Sequence, residues 1–301
     1  MKELWLSLFT AAALAVSASA FAGLKVVACE PEWASLVQEL GGDKVSVHSA
    51  TTAFQDPHHV QARPGLIAQV RNADLLVCTG AELEIGWLPV LLRQSGNDRI
   101  QPGGPGYFEA ASVVTLLEIP TTLDRAAGDI HAAGSPHIQT DPHNIALVGT
   151  ALVKRLAQLD PPNAAYYQSR EHDFAARWRT ATQRWEKEAA PLRGMKVVAH
   201  HRSWAYLNHW LGLSEVAELE PKPGVEPTAA HLQEVLDILQ REPAKLVLRS
   251  AYEDDRASNW LAQRARIPAV MLPFTVGGSD RAKDLFGLFD DTVDRLLKAT
   301  R

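Results

Sequence analysis

The sequence predicts an α/β protein of two Rossmann-like lobes, each a mainly parallel sheet flanked by helices, joined by one long rigid helix. Three observations predict it. Short, continuously apolar runs alternate with helical stretches, as they do where parallel strands are covered on both faces. The alternation occurs twice. Between the two rounds runs one long stretch of helical periodicity.

The chain opens on a targeting segment. Lys2 precedes an apolar run over residues 4–16, followed by the small residues "SASAFAG". Ala18 and Ala20, or Ala20 and Ala22, fit cleavage after Ala20 or Ala22, so 1–22 is expected to be a signal peptide. The run is too short to span a bilayer, at roughly 13 residues against the ~20 required. Export to the periplasm follows, with the mature chain starting near Gly23.

The first lobe is expected over 23–160. "LKVVAC" (24–29) reads as a buried strand, "PEWASLVQELG" (31–41) as a helix ending at Gly41-Gly42, and "KVSVHSA" (44–50) as a second strand. Pro64 opens a short helix leading into the apolar strand "DLLVCTG". The connecting helix is expected over 161–190, with Asp160 as N-cap and Pro161 at the first helical position. On it Tyr167, Phe174, Trp178, Ala181 and Trp185 form one apolar stripe, which reads as packing surface. The second lobe, 191–301, repeats the alternation. Its strands are "MKVVAH", "EVAELE", "KLVLRS" and "AVMLPF", with helices between them and a last helix over 281–297.

Composition narrows the function. In 301 residues, 46% hydrophobic content allows one large core or two moderate ones. A formal net charge of −5 with mixed signs offers no basic footprint for nucleic acid. No GxGxxG or Walker loop supports nucleotide binding. Two cysteines, Cys29 and Cys78, both end first-lobe strands. A disulfide between neighbouring strands and two buried thiols are both open.

Histidines carry the chemistry. They fall in three loops just after strands: "DPHHVQARP" with His58 and His59, "GSPHIQTDPHN" with His137 and His143, and "VVAHHRSW" with His200 and His201. A single loop histidine is ordinarily just solvated. Three clusters at the carboxyl ends of strands, where open α/β sheets bind ligands, point to one metal-binding cleft.

"DPHHVQARPGLIAQVRNADLLVCTGAELEIGWL", "SPHIQTDPHN", "VVAHHRSWAYLNHWLGL" and the helix opening "LDPPNAAYY" together resemble the zinc and manganese solute-binding proteins of bacterial ABC transporters. The resemblance covers essentially the whole mature chain. It implies His58, His137 and His201 as metal ligands, leaving His59, His143 and His200 as outer-shell or surface groups. It further implies a carboxylate from the loop after the last strand. Asp280 is the expected residue, although "TVGGSD" departs from the family's usual Asp-Ser; Asp284, Glu220 or a water are the alternatives. Three imidazoles and a carboxylate suit tetrahedral Zn²⁺, whereas Mn²⁺ prefers oxygen-rich sites, and manganese-specific relatives typically carry a carboxylate where His201 stands.

The expected function is therefore capture of Zn²⁺ between the lobes and delivery to an ABC permease in the inner membrane. A periplasmic zinc metallochaperone is a further candidate partner, and the chain is expected to be monomeric. The alternatives are a manganese importer component and a zinc-dependent hydrolase, the latter disfavoured by the lack of HExxH and by a closed ligand set. "TTLDRAAGDIHAAGSPH" stands where zinc members carry a longer His- and acid-rich insertion. Only Asp124, Asp129 and His131 remain of it, and it reads as a mobile connector or a metal-collecting lid.

Overall fold

The computed structural model describes residues 23–121, 128 and 131–301. The expected signal peptide 1–22, and Asp124 and Asp129, lie outside the described residues.

Two four-stranded parallel sheets form. In the first, β1 (Leu24–Ala28) pairs with β2 (Val45–Ser49) and β3 (Leu75–Cys78), and β3 with β4 (Tyr107–Glu109), giving the order β2-β1-β3-β4. In the second, β5 (Lys196–Ala199), β6 (Ser214–Glu218), β7 (Leu246–Ser250) and β8 (Ala269–Leu272) repeat it as β6-β5-β7-β8. The central strand β3 is buried along its whole length, as its unbroken apolar run requires.

Helix α1 (Pro31–Gly41) starts on its proline and ends at Gly42, whose φ of 54° is open to glycine at little cost. Helices α2 (Pro64–Arg71) and α3 (Leu88–Ser95) complete the first lobe together with α4 (Pro142–Leu159). Strand β4 and helices α3 and α4 are not marked by the sequence pattern above; β4, three residues long, is too short to show a period.

The connecting helix α5 spans Ala164–Ala189, about 39 Å at 1.5 Å per residue. The expected start at 161 is instead a 3₁₀ turn, Pro161–Asn163. Asp160 does not cap it with its side chain. Pro161 and Pro162 have no N–H to offer, and the carboxylate accepts from the Tyr167 hydroxyl at 2.6 Å and from Asn163 at 2.7 Å.

The apolar stripe of α5 is buried as expected, and it belongs to both lobes at once. Trp178 lies 5.2 Å from Phe174 and 4.9 and 5.4 Å from Phe286 and Phe289 of α9 (Leu285–Ala299), ring centre to ring centre. Its indole N–H donates to Pro142 O at the start of α4. One apolar core thus runs from Trp33 and Leu36 through α5 to Leu285 and Phe289. The remaining helices, α6 (Ala205–Leu211), α7 (Ala229–Arg241) and α8 (Arg256–Ala265), flank the second sheet. Among the described residues no helix is long and apolar enough to cross a membrane.

Candidate metal centre

Three loops bring one histidine each to the cleft. After β2, Asp56 accepts the His58 backbone N–H at 2.9 Å and faces its Nδ1 at 2.7 Å, so one carboxylate sets both the turn and the ring. The Trp87 indole donates to Pro57 O at 2.8 Å and pins the same turn to the first lobe. His137 precedes a 3₁₀ turn (Ile138–Thr140), and its carbonyl accepts the Thr140 hydroxyl at 3.0 Å. His201 follows β5; its Nδ1 meets Glu220 Oε2 at 2.7 Å, and that oxygen also accepts from Gly224 N.

The three rings form a nearly equilateral triangle. Their centres are 5.4 Å (His58–His137), 5.5 Å (His58–His201) and 5.7 Å (His137–His201) apart, with planes at 73°, 72° and 80°. One nitrogen from each lies within 4.8 Å of the other two, and all three residues are buried. Ligands of a tetrahedral zinc ion stand about 3.3 Å from one another, so a small contraction makes the set. The His58 Nε2 and the His137 Nδ1 are buried without hydrogen-bond partners. Leaving such atoms unmet costs roughly 1–3 kcal/mol each, and a cation meets them. Asp56 and Glu220 behind the other ring nitrogens are the carboxylate partners that orient metal-binding imidazoles and raise their basicity.

Burial and its neighbours His58, His201 and His131 hold the His137 imidazole well below its ordinary pKa, so it stays neutral and able to bind a cation. For His201 burial also pulls downward, but the Glu220 carboxylate outweighs it and the pKa is raised.

Of the four sequence-predicted ligands, the structure brings His58, His137 and His201 together. Asp280 is exposed and stands outside the group. In the loop before it the buried Thr275 hydroxyl donates to Glu32 of the first lobe. Asp284 caps α9 through Gly287 N at 2.8 Å, and Glu220 is engaged by His201. His59 and His143 are exposed, His143 lying between Asp141 and Glu186. His200 is buried, away from the surface role open to it in the sequence.

One residue escaped assignment to the site. His131 stacks on His58 at 5.3 Å with planes 27° apart and lies 6.4 Å from His137. Burial, then the neighbouring His58 and His201, push its pKa down to about 4. The signal available was a histidine six residues before His137 in a stretch of small residues. A cleft of about 340 Å³, lined among others by Glu118, His131, His137, His201 and Arg202, opens onto these rings.

Cys29 and Cys78 form a disulfide, with their Cα atoms 4.8 Å apart at the ends of β1 and β3. Beneath it lies a carboxylate cluster. Burial first, then Glu84 and Glu32, drive the Glu30 pKa well above the ordinary 4.5, and burial raises Glu84 and Glu32 to about 7.

Two α/β lobes on one long helix, with imidazoles from both meeting in the cleft between them, define a solute-binding protein whose solute is a metal ion. The chain belongs to the family described as "Zinc-uptake complex component A periplasmic", whose sequence profile matches residues 26–299. It is 22% identical over 270 residues to the manganese ABC transporter substrate-binding lipoprotein PsaA of Streptococcus anginosus, covering 87% of this chain and 83% of that one. In fold it is similar to the crystal structure of ZnuA, with a TM-score of 0.77, 22% identity and coverage of 93% and 100% of the two chains. A zinc-bound deletion mutant of ZnuA is similar too, with a TM-score of 0.75, 23% identity and coverage of 92% and 98%. The family is one of transporter solute-binding proteins and not of enzymes; its members work with the permease and ATPase components of ABC transporters.

Proposed function

We propose that this chain captures Zn²⁺ in the periplasm through His58, His137 and His201 and delivers it to an ABC permease. The observation that carries the choice of metal is the donor set. Three buried nitrogens converge, while Asp56 and Glu220, the carboxylates touching two of those rings, are engaged at Nδ1. Imidazole suits Zn²⁺, whereas Mn²⁺ favours oxygen donors and higher coordination. The name of the streptococcal relative favours manganese as the second reading. The segment 1–22 acts as the export signal in this reading, the chain works as a monomer, and a metallochaperone is a candidate donor of the ion.

Elemental analysis of purified protein, with equilibrium competition between Zn²⁺ and Mn²⁺, tests the proposal. One zinc per chain, held far more tightly than manganese and lost in His137→Ala, is the expected result. A preference for Mn²⁺ would replace this reading with the second.

A further inference from the structure

We propose that His131 is a fourth ligand, so that four imidazoles close around the ion and exclude manganese; this rests on the zinc reading above. The His131 Nε2 is buried with no hydrogen-bond partner, like the His58 Nε2 and the His137 Nδ1, and His131 and His137 line the same cleft. Three unmet nitrogens on rings whose centres lie 5.3, 5.4 and 6.4 Å apart are costly for a protein alone and suit a cation with nitrogen preference. His131 is not one of the trio whose donor atoms lie within 4.8 Å of one another. In this proposal its ring, stacked on His58 at 5.3 Å, turns about its own side-chain bonds to bring Nε2 to the ion.

The backbone around His131 is anchored for this. Ala132 N–H donates to Glu82 Oε2 at 2.5 Å. Ala81 and Glu82 both hold left-handed backbone, with φ of 49° and 69°, a conformation non-glycine residues seldom adopt and one that costs of order 1 kcal/mol or more each. The loop that carries this strain presents the carboxylate that holds Ala132. On the other side, Gly134 has φ 116°, and a Cβ there would meet Leu117 O at 2.6 Å, so only glycine lets the chain turn into Ser135, whose N–H bonds that same carbonyl. Among nearby carboxylates, Asp56 and Glu220 hold ring nitrogens, and Glu253 gives Oε2 to the Ser250 N–H while its Oε1 is buried without a partner. Four neutral nitrogens form a tetrahedral zinc site, and the oxygen-preferring, higher-coordinate Mn²⁺ is disfavoured there.

The test uses the mature protein and two variants, His131→Ala and His131→Gln, with His137→Ala as control. Zn²⁺ and Mn²⁺ affinities are measured, together with the visible spectrum of bound Co²⁺, which is intense for four-coordinate ions and weak for higher coordination. Both His131 variants are expected to bind Zn²⁺ roughly 10–100-fold more weakly, to narrow the gap to Mn²⁺, and to change the Co²⁺ spectrum, while the metal-free melting temperature does not fall. An unchanged affinity and spectrum in both variants, with zinc still lost in His137→Ala, would overturn the fourth ligand and leave the zinc site standing. Zinc retained in His137→Ala would overturn both.

Discussion

Residue for residue, the ends of β1 and β3 in the first lobe match the ends of β5 and β7 in the second. Cys29 donates its N–H to Val77 O and His200 donates to Leu248 O, both at 2.8 Å. One position further on stand Glu30 and His201. The adjoining loops return equivalent bonds, Thr51 N to Cys29 O and Glu220 N to His200 O. A carboxylate caps the third strand in each lobe: Glu84 accepts from Thr79 N, and Glu253 from Ser250 N. The corner in the first lobe is closed by a disulfide and by carboxylates whose pKa values burial raises. The same corner in the second lobe presents His201 to the buried imidazole trio. One sheet edge therefore serves either as a structural corner or as one side of the candidate metal centre, according to the residues placed on it. The first lobe's own histidines in the trio, His58 and His137, come from farther out, from the loops after β2 and before α4.

The largest effect expected from breaking this contrast falls on the first lobe. Replacing Cys29 and Cys78 together by Ala releases a loop of sequence separation 49 and should cost about 4 kcal/mol of stability by chain entropy. Urea unfolding with and without reductant measures it; a loss below about 1 kcal/mol would show that the corner is held by packing alone.

Next comes the second-lobe corner. Glu220→Ala removes the group that orients His201 and should weaken zinc binding by roughly 10–100-fold, where Glu84→Gln at the first-lobe corner leaves affinity unchanged. The sign of the pH dependence follows from the same contact. Because the His201 pKa is raised above the ordinary 6.5, its proton competes with the ion at higher pH than for a free imidazole. His137, lowered, joins only at much lower pH. Affinity should fall by about tenfold per pH unit once the pH drops below the His201 value. Competition titrations between pH 5.5 and 8 check this; a flat profile would contradict a site built on His201.

The smallest effect is a gain. Glu30, Glu84 and Glu32 have pKa values raised on folding, so the stability they allow is complete below the unfolded 4.5 and is lost as pH rises through their folded values, about 7 for Glu84 and Glu32. Glu30→Gln cannot ionise and can still accept from the Thr79 hydroxyl. It should stabilise the metal-free protein by about 1–2 kcal/mol at pH 8 and hardly at all at pH 5. Thermal melts at the two pH values decide it, and destabilisation at pH 8 would mean the carboxylate is needed ionised.

Local pattern determined much of this molecule. Unbroken runs such as "LLVC", in alternation with helical stretches, read as strands covered on both faces, and the seven- and four-residue spacing of Trp178, Trp185 and Phe174 reads as one helical stripe, because burial periodicity is a property of neighbours along the chain. Motif residues marked His58, His137 and His201 for the same reason: Asp-Pro-His and its counterparts are local turns. What the tertiary structure alone decided lies between distant segments. Asp280 faces solvent, in a loop whose Thr275 bonds Glu32, some 240 positions away in the chain. His131 stacks on His58 beside an Ala132 that Glu82 holds, a contact across 50 positions. Whether Cys29 and Cys78 are bonded was open until β1 and β3 were seen side by side. Side chains that meet only when the lobes close on a common core leave no period and no motif, so their roles are set by packing geometry that the order of residues does not display.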